Sequence, residues 1–360
     1  MRFQNLQSKY SIWPLAVIGV ALALIVLTRW FTALRQQEPH FQGRPLGIWL
    51  EELVADSSTD NEQAAEAIRR LGQAAVPFIV REMQCKDSAL KATLMGLLRK
   101  QTLVKFKLTR AQERRRRARL AFMHVAADAQ SAVPKLVDAL SERDPEIRWS
   151  AANFVGWIGV KANADAAVPA LIEALRDGHA RVRQYAANAL RNIGPRGAQR
   201  AAPALIQCLN DKTMEVRATA AVALGSLGHG TPEAIPALIA ALRDKEEGVR
   251  SGAAHGLGGL GAEAMPAVPE LMRLVREDNE YIVCMSAMAL TNIAPEASVL
   301  ELSALLTNQS AMVRRNAALA LYYFGAKAKP AVPALLSVMK QGDESTAKVV
   351  QNTLANIKAP

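Results

Sequence analysis

A chain of 360 residues, half of them apolar but only 5% aromatic, has room for two or three ordinary domains or one long repeat array. Its Ala- and Leu-rich make-up argues against a sheet core, which would want more β-branched and aromatic residues. The net charge of +11 is local, because ten bases and one acid (Glu113) lie between Arg99 and Arg119 and leave only +2 for the rest, so basicity is not a property of the fold.

No charged residue occurs between Lys9 and Arg29, and Ile12 to Leu27 is almost wholly apolar. With its flanks this run reaches the ~20 residues that a membrane-crossing helix needs. Trp13 and Trp30 stand at its two ends, where indole rings favour the headgroup zone. A cleaved signal peptide would need small residues after the apolar run, yet Ala33 has the bulky Phe31 two places before it. The expectation is a tail over 1–10, an uncleaved transmembrane helix over 11–30 and a linker over 31–44. Arg2 and Lys9 oppose Arg29 and Arg35, so the orientation is weakly set, with a small preference for the N-terminus inside and the bulk of the chain on a periplasm-like side.

Residues 45–130 read as two degenerate helical units. Gly47 to Leu53 and Ala64 to Gly72 fit the first, and Val76 to Val80 opens a second that a basic insertion over 99–119 interrupts. Arg114, Arg115, Arg116, Arg117 and Arg119 are candidates for an anionic surface. Acidic lipid ranks ahead of nucleic acid, because a phosphate groove would carry Lys and Arg on successive units, whereas here they are concentrated in one.

From 131 to 360 the sequence repeats itself. Pro134, Pro169, Pro203, Pro236 and Pro269 are 33 to 35 residues apart, Leu300 holds the next place and Pro333 follows. Such a period means a stacked array, of about nine units if the degenerate ones are included. Within one unit, Pro169 suits the first turn of helix A, and Leu171, Ile172 and Leu175 follow at helical spacing. Asp177 and Gly178 make a tight turn; Val182, Ala186, Ala187, Leu190 and Ile193 form the inner face of helix B, and Gly194 ends it.

These blocks resemble the HEAT family, in particular the short bacterial HEAT-like repeats of bilin lyases, over nearly all of the chain after residue 45. The resemblance implies an all-α superhelix. It also implies a buried ladder joining an Asp in each turn to an Arg opening helix B. The matching positions are Asp177, Asp211 and Asp244 for the turn, and Arg148, Arg183, Arg217, Arg250 and Arg314 for helix B, while Val283 and Ala347 break the column. Gly43 to Leu50 is also similar to a segment of membrane-anchored bacterial HEAT proteins, which with the apolar run implies a single-pass protein of the bacterial inner membrane.

No catalytic centre is legible. The five histidines fall in different repeats and none belongs to a His-Glu pair, and no phosphate loop, nucleophile elbow or zinc motif occurs. Cys85, Cys208 and Cys284 lie too far apart for a metal or disulfide pattern. Gly256 to Gly261 is glycine-rich, but it coincides with the end of a helix B and reads as close packing and a cap. No cofactor or metal is implied.

HEAT solenoids turn helix B to their concave side. The positions expected to line it are Asn153, Trp157, Tyr185, Asn188, Asn192, Val222, Ser226, His255, Met285, Met288, Asn292, Asn316 and Tyr323. Largely uncharged, with amides and a few aromatic and Met anchors, they suit a protein or peptide segment. The expected function is a non-catalytic membrane-tethered scaffold; the alternatives are a nucleic-acid- or lipid-binding protein and a bilin-lyase-like enzyme or chaperone.

Overall fold

The structure is a computed structural model that describes residues 38–54, 58–87, 110–159, 164–195, 199–228, 231–341 and 344–358. It divides into two compact units, Met1–Val125 and Ala126–Pro360. Among the described residues no helix is long and apolar enough to cross a membrane. The segment 11–30, expected to do so, lies outside them.

The described part of the first unit begins with a short hairpin at the end of the stretch read as linker. Its strands, β1 (His40–Phe41) and β2 (Arg44–Pro45), are antiparallel, and Gln42 and Gly43 turn between them with φ of 51° and 75°. Two positive φ values suit a tight two-residue connection. The hairpin leads into α1 (Leu46–Glu52), where Arg44 lies 4.1 Å over the buried Trp49 ring and Phe41 meets it edge-on at 6.2 Å. Among the described residues three helices follow: α2 (Ser58–Leu71), α3 (Val76–Met83) and α4 (Ala111–Val125). The last packs Ala118, Ala121, Phe122 and Val125 inward.

Residues 111–119 are therefore no insertion: they are the first turns of α4, the helix that pairs with α3. Repulsion along the arginine run is relieved by carboxylates far away in sequence. Arg114 forks onto Glu82 at 2.5 and 2.6 Å, and Arg117 reaches Glu51 at 3.0 Å. Arg115 is buried, with Nε donating to the Cys85 carbonyl at 3.0 Å.

The second unit contains seven helix pairs among the described residues. The first helices are α5 (Val133–Ala139), α7 (Val168–Ala174), α9 (Ala202–Cys208), α11 (Ala234–Ala241), α13 (Val268–Leu274), α15 (Pro295–Leu305) and α17 (Val332–Gln341). Their partners are α6 (Pro145–Ile158), α8 (Ala180–Ile193), α10 (Met214–Ser226), α12 (Glu247–Leu260), α14 (Glu280–Ile293), α16 (Ala311–Phe324) and α18 (Glu344–Lys358). Proline sits in the first turn of α5, α7, α9 and α13, where its missing N–H costs nothing. Gly159, Gly194, Gly228, Gly261 and Gly325 recur at the ends of second helices with positive φ, a conformation costly for any other residue.

Each second helix packs against the next, from α6 through α18, while the first helices meet mainly their own partners. The second-helix layer is thus the tighter, inner side of the array. Its core holds Val182, Ala186, Ala187, Leu190 and Ile193 buried, with Leu171 and Leu175 beneath them; Ile172 stays half-exposed. Packing is closest between α10 and α12. A Cβ built on Gly256 would lie 2.3 Å from the Ala221 carbonyl oxygen, and one on Gly225 would lie 2.4 Å from the Gly256 Cα.

An ion-pair ladder joins the early repeats. Arg148, Arg183 and Arg217 each fork onto the turn aspartate of the following repeat, Asp177, Asp211 and Asp244, at 2.6 to 2.9 Å. Each guanidinium also donates Nη1 to a carbonyl six residues back (Glu142, Asp177 or Asp211), and each aspartate accepts the backbone N–H two residues on. Burial alone would raise the three carboxyls, but the guanidinium and backbone donors outweigh it and hold them below the usual carboxylate range.

The ladder then fades. Arg250 meets Glu277 only at 3.7 Å, and its buried Nε has no hydrogen-bond partner. Val283 supplies no guanidinium, and Asn308, uncharged, replaces the aspartate that such a residue would have bound. The Glu277 carbonyl, which an arginine at 283 would have met, is taken instead by the Asn316 amide at 2.8 Å.

Candidate functional site

The inner layer offers one exposed face per second helix. Counted from each ladder arginine, or its replacement Val283, three places recur: two, five and nine residues on. The first row holds Tyr185, Met285 and Asn316; the second Asn153, Asn188, Val222, His255 and Met288; the third Trp157, Asn192, Ser226, Asn292 and Tyr323. Helical spacing puts these rows on one side of each helix.

Two of these residues do not line a surface. Asn316 is buried because its amide stands in for the missing guanidinium at Glu277, and Asn153 is buried within α6. Tyr185 is half-buried against Trp149, with ring centroids 5.1 Å apart, and Arg181 covers the other part of that indole at 4.8 Å. Trp157 is half-buried, stacked on Phe154 at 5.6 Å. Asn188, Asn192 and Met285 are half-exposed, and His255, Met288, Asn292 and Tyr323 are exposed. Two more exposed aromatics belong to this end of the array: Tyr281 on α14 and Tyr322 on α16. Tyr322 sits one residue before the third row and Tyr281 one turn before the first, and α14's own pattern of Tyr281, Met285 and Met288 at helical spacing was the signal for the latter.

Between α14, α16 and α18 lies a cleft of about 470 Å³, with Glu280, Tyr322, Tyr323 and Asn356 on its walls. The Tyr322 and Tyr323 rings stand nearly perpendicular, at 81° and 5.6 Å. The neighbouring Cys284 thiol, together with burial, pushes the Tyr323 phenol up to about 12. Cys208 is pushed up to about 11 by burial, which makes it a poor nucleophile. Among the described residues no group of three or more His, Cys, Asp or Glu could hold a metal ion.

The arginine run offers little free charge on the described part. Arg114, Arg115 and Arg117 are engaged as above, Arg119 is half-buried, and Arg116, 57% exposed, lies 3.7 Å from Glu113. Residues 99–109 fall outside the described part.

Models of HEAT repeats match residues 106–191, 168–258 and 202–290, together about half of the chain. The chain belongs to the HEAT repeat family. A further model, of PBS lyase HEAT-like repeats, matches 313–341 of this HEAT protein. No curated protein matches it. Among solved structures, an engineered protein is 23% identical, with 87% of this chain and 99% of that one covered and a TM-score of 0.45. The complex of CpcE and CpcF of phycocyanin lyase from Nostoc is 25% identical, with 62% and 94% covered and a TM-score of 0.42. Kap95p, in its complex with RanGDP, is 13% identical at a TM-score of 0.54, over 87% of this chain and half of that one, and shares the fold.

Proposed function

We propose that this HEAT protein is a non-catalytic scaffold that holds a protein or peptide segment on its second-helix face. The observation that carries the reading is the exposure there of large apolar side chains: Tyr281 is 55% exposed, Met288 48%, Tyr322 39% and Tyr323 38%. Isolated exposed apolar residues are ordinary, but several on neighbouring helices of one face mark a binding surface. Amides on second helices of the array, at Asn188 and Asn192 on α8 and Asn292 on α14, suit main-chain recognition. In this reading the uncharged run within 11–30 tethers the scaffold to a bacterial inner membrane.

The test is affinity capture from detergent-solubilised cells with the native chain and with Trp157→Ala, Tyr185→Ala, Met285→Ala and Met288→Ala. Anchors of this type each carry about 2 kcal/mol or more. A partner captured by the native chain and lost from these variants, at unchanged helicity, supports the scaffold. A partner that all four retain places binding elsewhere.

A further inference from the structure

The cleft between α14 (Glu280–Ile293), α16 (Ala311–Phe324) and α18 (Glu344–Lys358) is specific in what it leaves unsatisfied. Glu280, 59% exposed at its side chain, is the one charged residue among the described residues that line it; Arg315 and Lys348 are not part of the lining. Arg315 takes only one carboxylate oxygen, Oε2, at 2.9 Å. Asn356 has committed its amide nitrogen to the Tyr322 carbonyl at 2.7 Å, which leaves its Oδ1 as an acceptor. Tyr323 lines the cleft with its ring set against that of Tyr322. Thr353, at the base, gives its hydroxyl to the Ala318 carbonyl at 2.9 Å and is buried.

The groups left over are a carboxylate oxygen of Glu280, the amide oxygen of Asn356, the side-chain amide of Asn352, whose oxygen is a further acceptor, and two perpendicular aromatic rings, with aliphatic lining that includes Val349. Each attracts a cation: the oxygens as acceptors, the rings through their negative faces. Aliphatic lining beside acidic and aromatic groups also matches a long side chain with an apolar stem and a charged head. Guanidinium fits best, because it is planar, stacks on rings and still has N–H groups for the oxygens.

We propose that this cleft takes an arginine side chain of the bound segment, with its stem on Val349, its head against Tyr322 and Tyr323, and its N–H groups donating to Glu280 and Asn356. The proposal rests on the second-helix face being the binding surface, and it names one residue type that the partner presents at one end of it.

The test uses the full chain in detergent with selectively labelled tyrosines, titrated with a short Ala/Ser peptide carrying one central arginine. The citrulline and norleucine counterparts of that peptide serve as uncharged controls. The arginine peptide is expected to move the Tyr322 and Tyr323 resonances and to bind about tenfold more tightly than citrulline. Glu280→Gln should remove most of that preference, and Tyr322→Ala should weaken the arginine peptide more than norleucine. Equal binding of arginine and citrulline, or no movement of either resonance at millimolar peptide, overturns the proposal. Partner capture that depends on Trp157 and Met288 would survive such a failure, so the two readings fall separately.

Discussion

Replacing Gly256 by alanine tests how the inner layer is packed. In an exposed helix interior this change would gain about 1 kcal/mol, since glycine is the costlier residue there. Here the added Cβ would sit 2.3 Å from the Ala221 carbonyl oxygen, 3.2 Å from its carbon and 3.4 Å from Leu238 Cδ2. The nearest obstacle is backbone of α10 and cannot rotate away, so the two helices must separate by roughly 1 Å to restore ordinary contact. Overpacking of this kind costs about 1–3 kcal/mol, and opening a tight helix pair also loses dispersion contacts on both sides. We expect Gly256→Ala to destabilise the array by about 1–2 kcal/mol net of its propensity gain. Gly248, in the first turn of α12, is the control: a Cβ there meets nothing within 4 Å, so Gly248→Ala should be neutral or slightly stabilising. Urea unfolding followed by helical circular dichroism gives the comparison. Amide exchange in α10 and α12 localises it, because a repeat array need not unfold in one step. A Gly256→Ala protein as stable as the native one, with unchanged exchange in α10, would refute the close-approach argument.

Two further outcomes follow from the ladder. The depressed carboxyls of Asp177, Asp211 and Asp244 add stability that is present above the unfolded value of about 3.9 and is lost as pH falls through the lower folded values. Asp211→Asn should therefore be less stable than the native chain at pH 7 but lose less on acidification below about pH 5; parallel acid limbs in urea titrations would show that the rung carries no pH-dependent stability. Asn316→Ala leaves the Glu277 carbonyl without its amide partner and should cost about 1–3 kcal/mol, and that cost should shrink in a Val283→Arg, Asn308→Asp background where a guanidinium takes over. Equal costs in the two backgrounds, from thermal unfolding, would mean that the amide does not substitute for the rung.

The helix pairs and their phase were legible from residue order alone. Proline at a first turn, glycine with positive φ at a helix end, and apolar residues at helical spacing act within one turn of the chain, so they can be read locally. Repetition every 33 to 35 residues then multiplied the signal. What lay outside that reach depends on contacts one repeat away. Asn316 resembled a groove residue, but its burial follows from Val283 on the preceding second helix. The run from Arg114 to Arg117 resembled a free basic patch, until folding set Glu82 and Glu51 against it. Tyr281, Tyr322 and the cleft beside them gained meaning only when α14, α16 and α18 were stacked. A side chain's periodic place fixes which way it leaves its own helix; whether it then meets water, a carboxylate or a backbone carbonyl is settled by the neighbouring repeat, whose residues lie roughly 30 or more positions away in the chain.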